Sequence, residues 1–311
     1  MRGEAESPVS VVIPCYNQAR YLPEAIESAL TQTAGRPEVI VVNDGSTEPV
    51  DLVVARYPGV HLIVQPNSGV AAARNTGLCM ASRPLVIFLD ADDRLTPEAV
   101  ATGLAVLESR PEAAGAIGLC RVIDPEGRPR PFRQQPPIAG EPYAALLRSN
   151  FVWMPAEGIY RREALLRIGG FDPSNPAAAD YDLYLRLARE YALAVHRNVV
   201  AEYRVHDANM SANGLLMLRS TLCVLERQWP YARQRPEHRA AYAEGNRFWR
   251  DFYGDRVVEE IRASLKTAGR RRRAVRWALA LLRHHPRAVA VQLFRKLRNS
   301  VRRLVNPVSA G

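Results

Sequence analysis

Four short apolar, β-branched runs punctuate the first 95 residues: Val9 to Ile13, Val39 to Val42, Val60 to Val64, and Leu85 to Leu89. Stretches of helical character separate them. After the first run, Leu22, Ile26 and Leu30 recur at four-residue spacing, which predicts a helix with one buried face. Strands alternating with helices in this way predict βαβ units and a parallel sheet. The runs lack polar alternation, as strands covered on both faces should. The expected class is therefore α/β.

In such sheets ligands bind outside the carboxyl ends of the strands. The residues that follow the runs are Pro14-Cys15-Tyr16-Asn17, Asn43-Asp44-Gly45-Ser46-Thr47, Gln65-Pro66-Asn67-Ser68-Gly69 and Asp90-Ala91-Asp92-Asp93. Asn-Asp-Gly-Ser alone is ordinary turn chemistry. Four strand ends delivering aromatic, amide and carboxylate groups to one rim exceed what turns require. Asp90, Asp92 and Asp93 repel one another unless a cation sits among them. Oxygen donors of this kind suit Mg²⁺ or Mn²⁺, which complete their shells with phosphate and water. No GxxxxGKS/T and no GxGxxG sequence is present, which argues against P-loop hydrolysis and dinucleotide-dependent dehydrogenation.

Further along, Leu95-Thr96-Pro97-Glu98 predicts a helix start with Thr96 as cap and Pro97 in the first position. Residues 124–142 hold six prolines and read as a surface loop. A helix is expected from about Asp180, with Leu183 and Leu187 on one face and Tyr184, Ala188 and Tyr191 beside them. Beyond residue 214 the chain reads as helical, broken near Pro230, Pro236 and Pro286.

The ordered segments Val9 to Asn17, Val41 to Thr47, Asn67 to Gly77, Phe88 to Asp93, Gly169 to Asp172, Ala179 to Ala188 and Tyr203 to Ser211 resemble the family-2 glycosyltransferases. The likeness runs over roughly residues 8 to 212. It implies a GT-A-like, Rossmann-type, mostly parallel sheet with helices on both faces, followed by a helical C-terminal region. The implied catalytic domain is 1–213, with a nucleotide-binding half at 8–95 and an acceptor half at 96–213; residues 214–311 form the basic helical region.

By the same resemblance, Pro14, Tyr16 and Asn17 line the nucleotide site, joined by Asn67. Asp44 accepts a hydrogen bond from the base, a role typical for uracil. Arg74 sits near the diphosphate or braces the acidic cluster. Asp90-Ala91-Asp92 occupies the DXD position, with Asp90 on the ribose, Asp92 on a divalent cation (Mn²⁺ or Mg²⁺) and Asp93 in support. His206 falls near the metal and diphosphate. Asp180 matches the catalytic base, although Ala179 stands where relatives carry a polar residue; helix capping is the competing role, and Asp182 the fallback base. Gly170, Phe171 and Asp172 shape the acceptor side. Trp153 either stacks on a sugar or belongs to the core. The activity implied is inverting transfer from a nucleotide-sugar, a UDP-sugar first, to a hydroxyl of a glycan or lipid-linked acceptor in cell-surface polysaccharide assembly. Two alternatives stand beside it: a non-catalytic nucleotide-sugar-binding or scaffold subunit, and a sugar nucleotidyltransferase, although Ser10 to Asn17 lacks the glycines of a phosphate loop.

Charge divides the chain. Residues 1–215 carry 20 basic and 25 acidic residues, and residues 216–311 carry 22 and 7. From 260 onward there are 14 basic residues against Glu260, with Arg270 to Arg273 as one block and Trp277, Leu281, Leu293 and Phe294 interleaved. Such a segment suits an anionic membrane surface. Packing on the acidic catalytic domain is its rival, and nucleic acid is not expected because no recognition motif accompanies the charge. No run approaches the roughly 20 apolar residues of a membrane span, and Met1 to Ser7 has three charges and no apolar core, unlike a signal peptide. A cytoplasmic protein, peripheral on the membrane, is expected. The four cysteines lack metal spacing and read as buried or half-buried thiols of a reducing compartment.

Overall fold

The computed structural model describes residues 6–131, 138, 140–206, 213–266 and 277. The chain divides into two units, Met1–Asn209 and Met210–Gly311. In the first, the four apolar runs form strands β1 (Glu6–Cys15), β2 (Arg36–Asn43), β3 (Val60–Val64) and β4 (Leu85–Phe88). They pair in parallel in the order β3-β2-β1-β4. The sheet continues through β7 (Gly158–Arg161), β6 (Ala113–Ile123), β8 (Ala192–Arg204) and β5 (Arg94–Leu95). Here β7 runs antiparallel to both neighbours, β6 and β8 pair in parallel, and β5 is antiparallel to β8.

β1, β2 and β4 are covered on both faces over most of their length, as their apolar runs require, whereas β3, at the sheet edge, is only partly buried, with His61 and Val64 exposed. Val9, Val11 and Ile13 of β1 join Leu22, Ala25 and Ile26 of helix α1 (Leu22–Leu30) in one core. Val12 points the other way, against helix α3 (Val70–Met80). The approach there is close: a Cβ on Gly77 would lie 2.2 Å from Val12 Cγ1. Helix propensity favours alanine over glycine by about 1 kcal/mol, but overpacking costs about 1–3 kcal/mol, so contact with the sheet dictates glycine.

Because β2 and β4 flank β1 on opposite sides, the chain reverses direction of winding there. In open α/β sheets the binding crevice opens at the carboxyl ends of strands at such a point, which puts the expected cleft between Pro14–Asn17 and Asp90–Asp93. The remaining helices of this unit are α2 (Val50–Val54), α4 (Ala99–Ser109), α5 (Pro142–Arg148), α6 (Arg162–Arg167) and α7 (Ala179–Glu190).

Helix α4 begins later than the Thr96-Pro97 signature predicts. Its N-cap is Glu98, and the Thr96 hydroxyl donates to Val199 O at 3.2 Å. Pairing of β5 with β8 claims Thr96 before the helix does. Of residues 124–142, Asp124 to Arg128 form a tight turn in which Asp124 Oδ1 accepts from the N–H groups of Glu126 and Arg128; residues 132–137 and 139 lie outside the described residues. Cys15 and Cys120 are buried as expected, whereas Cys79 and Cys223 are exposed rather than buried or half-buried.

The second unit is an antiparallel pair, α8 (Gly214–Ala232) and α9 (Pro236–Lys266). Gly214 N donates to Glu260 Oε1 at one end, and Trp229 packs on Tyr242 at the other. Asn213 caps α8 through its side chain, accepting from Leu216 N. Pro230 sits inside α8 rather than ending it. It lies in the last turn, so the hydrogen bond it removes is near the frayed end. Pro286 and the Arg270–Arg273 block fall outside the described residues. Among those described, no helix is long and apolar enough to cross a membrane.

Candidate active site

The rim begins at the tip of β1. Asn17 is the one non-glycine among the described residues with positive φ (53°), a conformation asparagine tolerates better than most residues. Its N–H donates to Ser46 Oγ at 3.0 Å, and its Oδ1 accepts from Thr47 N and Oγ1 at 2.9 and 3.2 Å. The tips of β1 and β2 are thereby locked together, with Tyr16 left half exposed beside them. Asp44 is buried. Its Oδ1 accepts from Gln65 Nε2 (2.7 Å) and Ser68 N (2.9 Å), and its Oδ2 accepts from Gly69 N (2.8 Å). Thr76 Oγ1 donates to Gln65 Oε1 at 2.6 Å, so Gln65 links Asp44 to α3. Gly45 must be glycine: its φ is +74° and a Cβ would sit 2.7 Å from Asn67 N.

After β4 the chain places Asp90, Ala91, Asp92 and Asp93 in one turn. Ala91 is fully buried, which turns the flanking carboxylates to different surroundings. Asp90 Oδ1 accepts from Arg74 Nη2 at 2.5 Å. Burial works against the Arg74 charge, but Asp90 and Asp180 outweigh it and the guanidinium pKa is raised. Asp92 Oδ2 lies 2.9 Å from His206 Nε2. Burial and the neighbouring Asp90 push the Asp92 carboxyl above its usual range, with His206 opposing. Asp93 is pushed well up by burial, Asp92 and Asp90, and is held by Arg204 N at 2.8 Å.

Arg204 is the brace that sequence reasoning left unassigned. It is fully buried. Its Nε donates to Asp92 O (2.7 Å), its Nη1 to Pro125 O (2.9 Å) and its Nη2 to Glu24 Oε2 (2.7 Å). Its guanidinium lies over Tyr21, 4.8 Å from the ring centroid, and Tyr21 stacks on His206. Arg204→Met should lower stability by about 3–5 kcal/mol, because it takes the Arg204 donor from the Asp92 and Pro125 carbonyls and from Glu24 Oε2, although the main-chain N–H that holds Asp93 remains. Urea unfolding measures this, and a loss under about 1 kcal/mol would contradict the assignment.

On the other side of the cleft, Asp180 occupies the first turn of α7, and the N-cap position belongs to Ala178. Asp180 Oδ1 accepts from its neighbour Tyr181 N at 2.7 Å, so it satisfies one free N–H of the first turn although it does not hold the N-cap position. Burial raises its pKa, and Arg74 opposes the rise. Asp182 instead points inward, paired at 2.7 Å with Arg186, which also donates to the carbonyls of Ile168 and Gly170. Asp182 is thus a structural anchor and not a second candidate base. Asn75 pins the glycine turn: its Oδ1 accepts from Phe171 N and its Nδ2 donates to Phe171 O, both at 2.8 Å. Gly170 (φ +65°) has no room for a Cβ, which would meet Asn75 Oδ1 at 2.4 Å. Phe171 packs edge-on against Phe88 and under the Arg74 guanidinium. Both Asp172 oxygens accept from Ser174, and Trp153 is partly exposed.

Arg74 therefore pairs with Asp90 and bears on Asp180 through its charge alone, and Arg204 ties Asp92 and Asp93 to β8. Gln65, Asn75, Tyr21, Glu24 and Arg204 form the support that local patterns did not reveal. Among the described residues, no three or more His, Cys, Asp or Glu side chains are arranged as a metal shell. The Asp92 and His206 donors nevertheless fit a Mn²⁺ or Mg²⁺ ion that takes its other ligands from phosphate and water. The buried carboxylates around them lack enough cationic partners to ionise freely, which is the electrostatic setting such an ion relieves.

A family model described as glycosyl transferase family 2 matches residues 10–169. An uncharacterized glycosyltransferase of Nostoc sp. is 30% identical over 212 residues, covering 65% of this chain and 66% of that protein. Chondroitin synthase of Escherichia coli is 32% identical over 67% of this chain and 30% of its own length. Hyaluronan synthase of Pasteurella multocida is 30% identical over 67% of this chain and 21% of its own. The chain thus spans less than a third of either synthase. Among solved structures, the mannosyltransferase PcManGT from Pyrobaculum calidifontis, in complex with GDP-Man and Mn²⁺, superposes with a TM-score of 0.61 at 18% identity, covering 98% of this chain and 90% of that one. S. aureus TarS in complex with UDP-GlcNAc gives 0.54 at 19% identity, covering 80% of each. At these identities the structures establish the shared fold.

Proposed function

The chain belongs to glycosyl transferase family 2, and from that premise we propose that it transfers a sugar, with inversion, from a nucleoside diphosphate donor to a hydroxyl of a glycan or lipid-linked acceptor in cell-surface polysaccharide synthesis. The observation that carries this reading is the pairing of two sets of groups on one rim. Asp92 beside His206 suits a cation and diphosphate, and Arg74, paired with Asp90, lies near enough to Asp180 for its charge to act on that carboxylate.

In this reading Tyr16 and Asn17 border the nucleoside with Pro14 and Asn67. Asp44 meets the base through Oδ2, which holds one protein hydrogen bond against two on Oδ1. Asp90 faces the ribose while Arg74 fixes its orientation. Asp92 and His206 would hold the divalent cation, which when bound supplies positive charge to the leaving diphosphate. Asp180, on the acceptor side with Gly170, Phe171, Asp172 and Trp153, takes the proton from the attacking hydroxyl. One base and an in-line displacement invert the anomeric centre.

Relatives of this fold bind UDP-GlcNAc or GDP-Man, so the donor base is tested directly. In a thermal-shift series of UDP-, GDP- and dTDP-sugars with Mn²⁺, the UDP-sugar should raise Tm by several degrees at ligand near 100 Kd, from about 2.7 kcal/mol of linkage. No shift with any of the three would contradict nucleotide-sugar binding. Ala179, fully buried where a polar neighbour was expected, keeps a non-catalytic nucleotide-sugar-binding role as the second reading. Sugar transfer that is lost in Asp92→Ala excludes it.

The segment from Arg270 onward is proposed to meet anionic membrane at the cytoplasmic face. The full chain should float with vesicles containing phosphatidylglycerol and not with neutral vesicles, and alanine at Arg270 to Arg273 should abolish flotation. Equal recovery with both vesicle types would contradict this.

A further inference from the structure

A closed circuit of contacts runs through the Asp92 turn. His206 Nε2 lies 2.9 Å from Asp92 Oδ2. The His206 ring is nearly parallel to that of Tyr21, with centroids 5.6 Å apart and planes within 11°. The Arg204 guanidinium sits over the same tyrosine, 4.8 Å from its centroid, and its Nε donates to the Asp92 carbonyl at 2.7 Å. From Asp92 the contacts pass to His206, Tyr21 and Arg204 and return to Asp92. Tyr21 takes part through its ring.

The backbone fixes that ring firmly. Tyr21 is the N-cap residue of α1, its N–H donating to Gln18 O at 3.1 Å and its carbonyl accepting from Glu24 N at 3.0 Å. Behind it Leu22, Ala25 and Ile26 are fully buried. Glu24, in the first turn, accepts from Arg204 Nη2 at 2.7 Å and from Arg94 Nη1 at 3.1 Å. The start of α1 thus grips Arg204 and His206 where β8 ends. Val205 between them is exposed, as alternation along an extended chain requires.

The atoms that touch, Nε2 and Oδ2, are the pair a divalent cation would take. Their contact cannot orient the imidazole while both serve as ligands. Stacking on Tyr21 uses neither atom. We propose that Tyr21 is a positioning residue: its ring holds the His206 imidazole in register with the Asp92 carboxylate, as a pre-formed pair of donors for a divalent cation that carries a nucleoside diphosphate. Partners of this outer kind orient a ligand without touching the ion. The proposal rests on the cation reading given above.

The test is Mn²⁺ binding to the full chain, read from the electron paramagnetic resonance of free Mn²⁺ in UDP and in GDP, with each nucleotide alone as the blank. Tyr21→Leu should weaken binding about three- to tenfold, the scale of one aromatic stacking contact. Tyr21→Phe keeps the ring and should bind as the wild type does. In a His206→Ala background Tyr21→Leu should cause no further loss, because residues that act through one contact are not additive. Tyr21→Met serves the same comparison if urea midpoints show the leucine variant to be unfolded. Unchanged binding in Tyr21→Leu, with His206→Ala weakened, would overturn the positioning role and leave the cation site standing. An equal loss from Tyr21→Leu in both backgrounds would overturn it too, as would a loss in Tyr21→Phe as large as in Tyr21→Leu. Wild-type binding in His206→Ala would overturn the cation reading and this proposal together.

Discussion

Asp180→Asn is expected to lower sugar transfer by about 10³-fold while donor affinity stays unchanged, the scale of a positioned general base. The amide has the same shape and can still accept from Tyr181 N. Arg74 keeps its ion pair with Asp90, so the donor side of the cleft is undisturbed. What is lost is the carboxylate proposed to take the proton, and Asp182, held by Arg186, is not placed to replace it. The sign of the pH dependence follows. Burial raises the Asp180 pKa against the pull of Arg74, so transfer in the wild type should fall as pH drops through a limb above the ordinary aspartate value near 3.9. That limb should vanish in Asp180→Asn. Steady-state rates from pH 4 to pH 9 measure it, and an unaltered rate in the variant would remove Asp180 from the reaction.

Chelation should have an effect of similar size. EDTA is expected to lower transfer by at least about 10³-fold, and excess Mn²⁺ or Mg²⁺ to restore it, because the developing diphosphate charge loses its main stabiliser. Asp92→Ala should stay at least about 100-fold down even in excess Mn²⁺. Asp93, deeper and held by Arg204 N, supports the turn and cannot replace it. Full transfer in EDTA would contradict the role given to the Asp92–His206 pair.

The strands and their rim were legible because each apolar run stops abruptly at a polar tip. No tertiary knowledge is needed to see Val9 to Ile13 end at Pro14 or Leu85 to Leu89 end at Asp90. The braces were not legible, because they join residues far apart in sequence. Arg204 reaches Glu24 across 180 positions and Asp93 across 111. Asn75 clasps Phe171 across 96. Nothing local in Tyr203-Arg-Val-His marks the arginine as buried, since arginine is ordinarily a surface residue. Local signals misled at two places, one through a tertiary competitor and one through position in the helix. Thr96 has the chemistry of a cap, yet its hydroxyl serves β8, and Pro230 breaks helices in general but sits at an end where its missing donor matters little.

The central claim is that the Asp90–Asp93 turn gathers carboxylates because a dication joins them to a nucleotide diphosphate. Anomalous scattering from a crystal grown with a nucleoside diphosphate and Mn²⁺ tests it most directly. A manganese peak against Asp92 and His206, touching the diphosphate, is the predicted result. A nucleotide seated elsewhere, with no manganese at that turn, would contradict it.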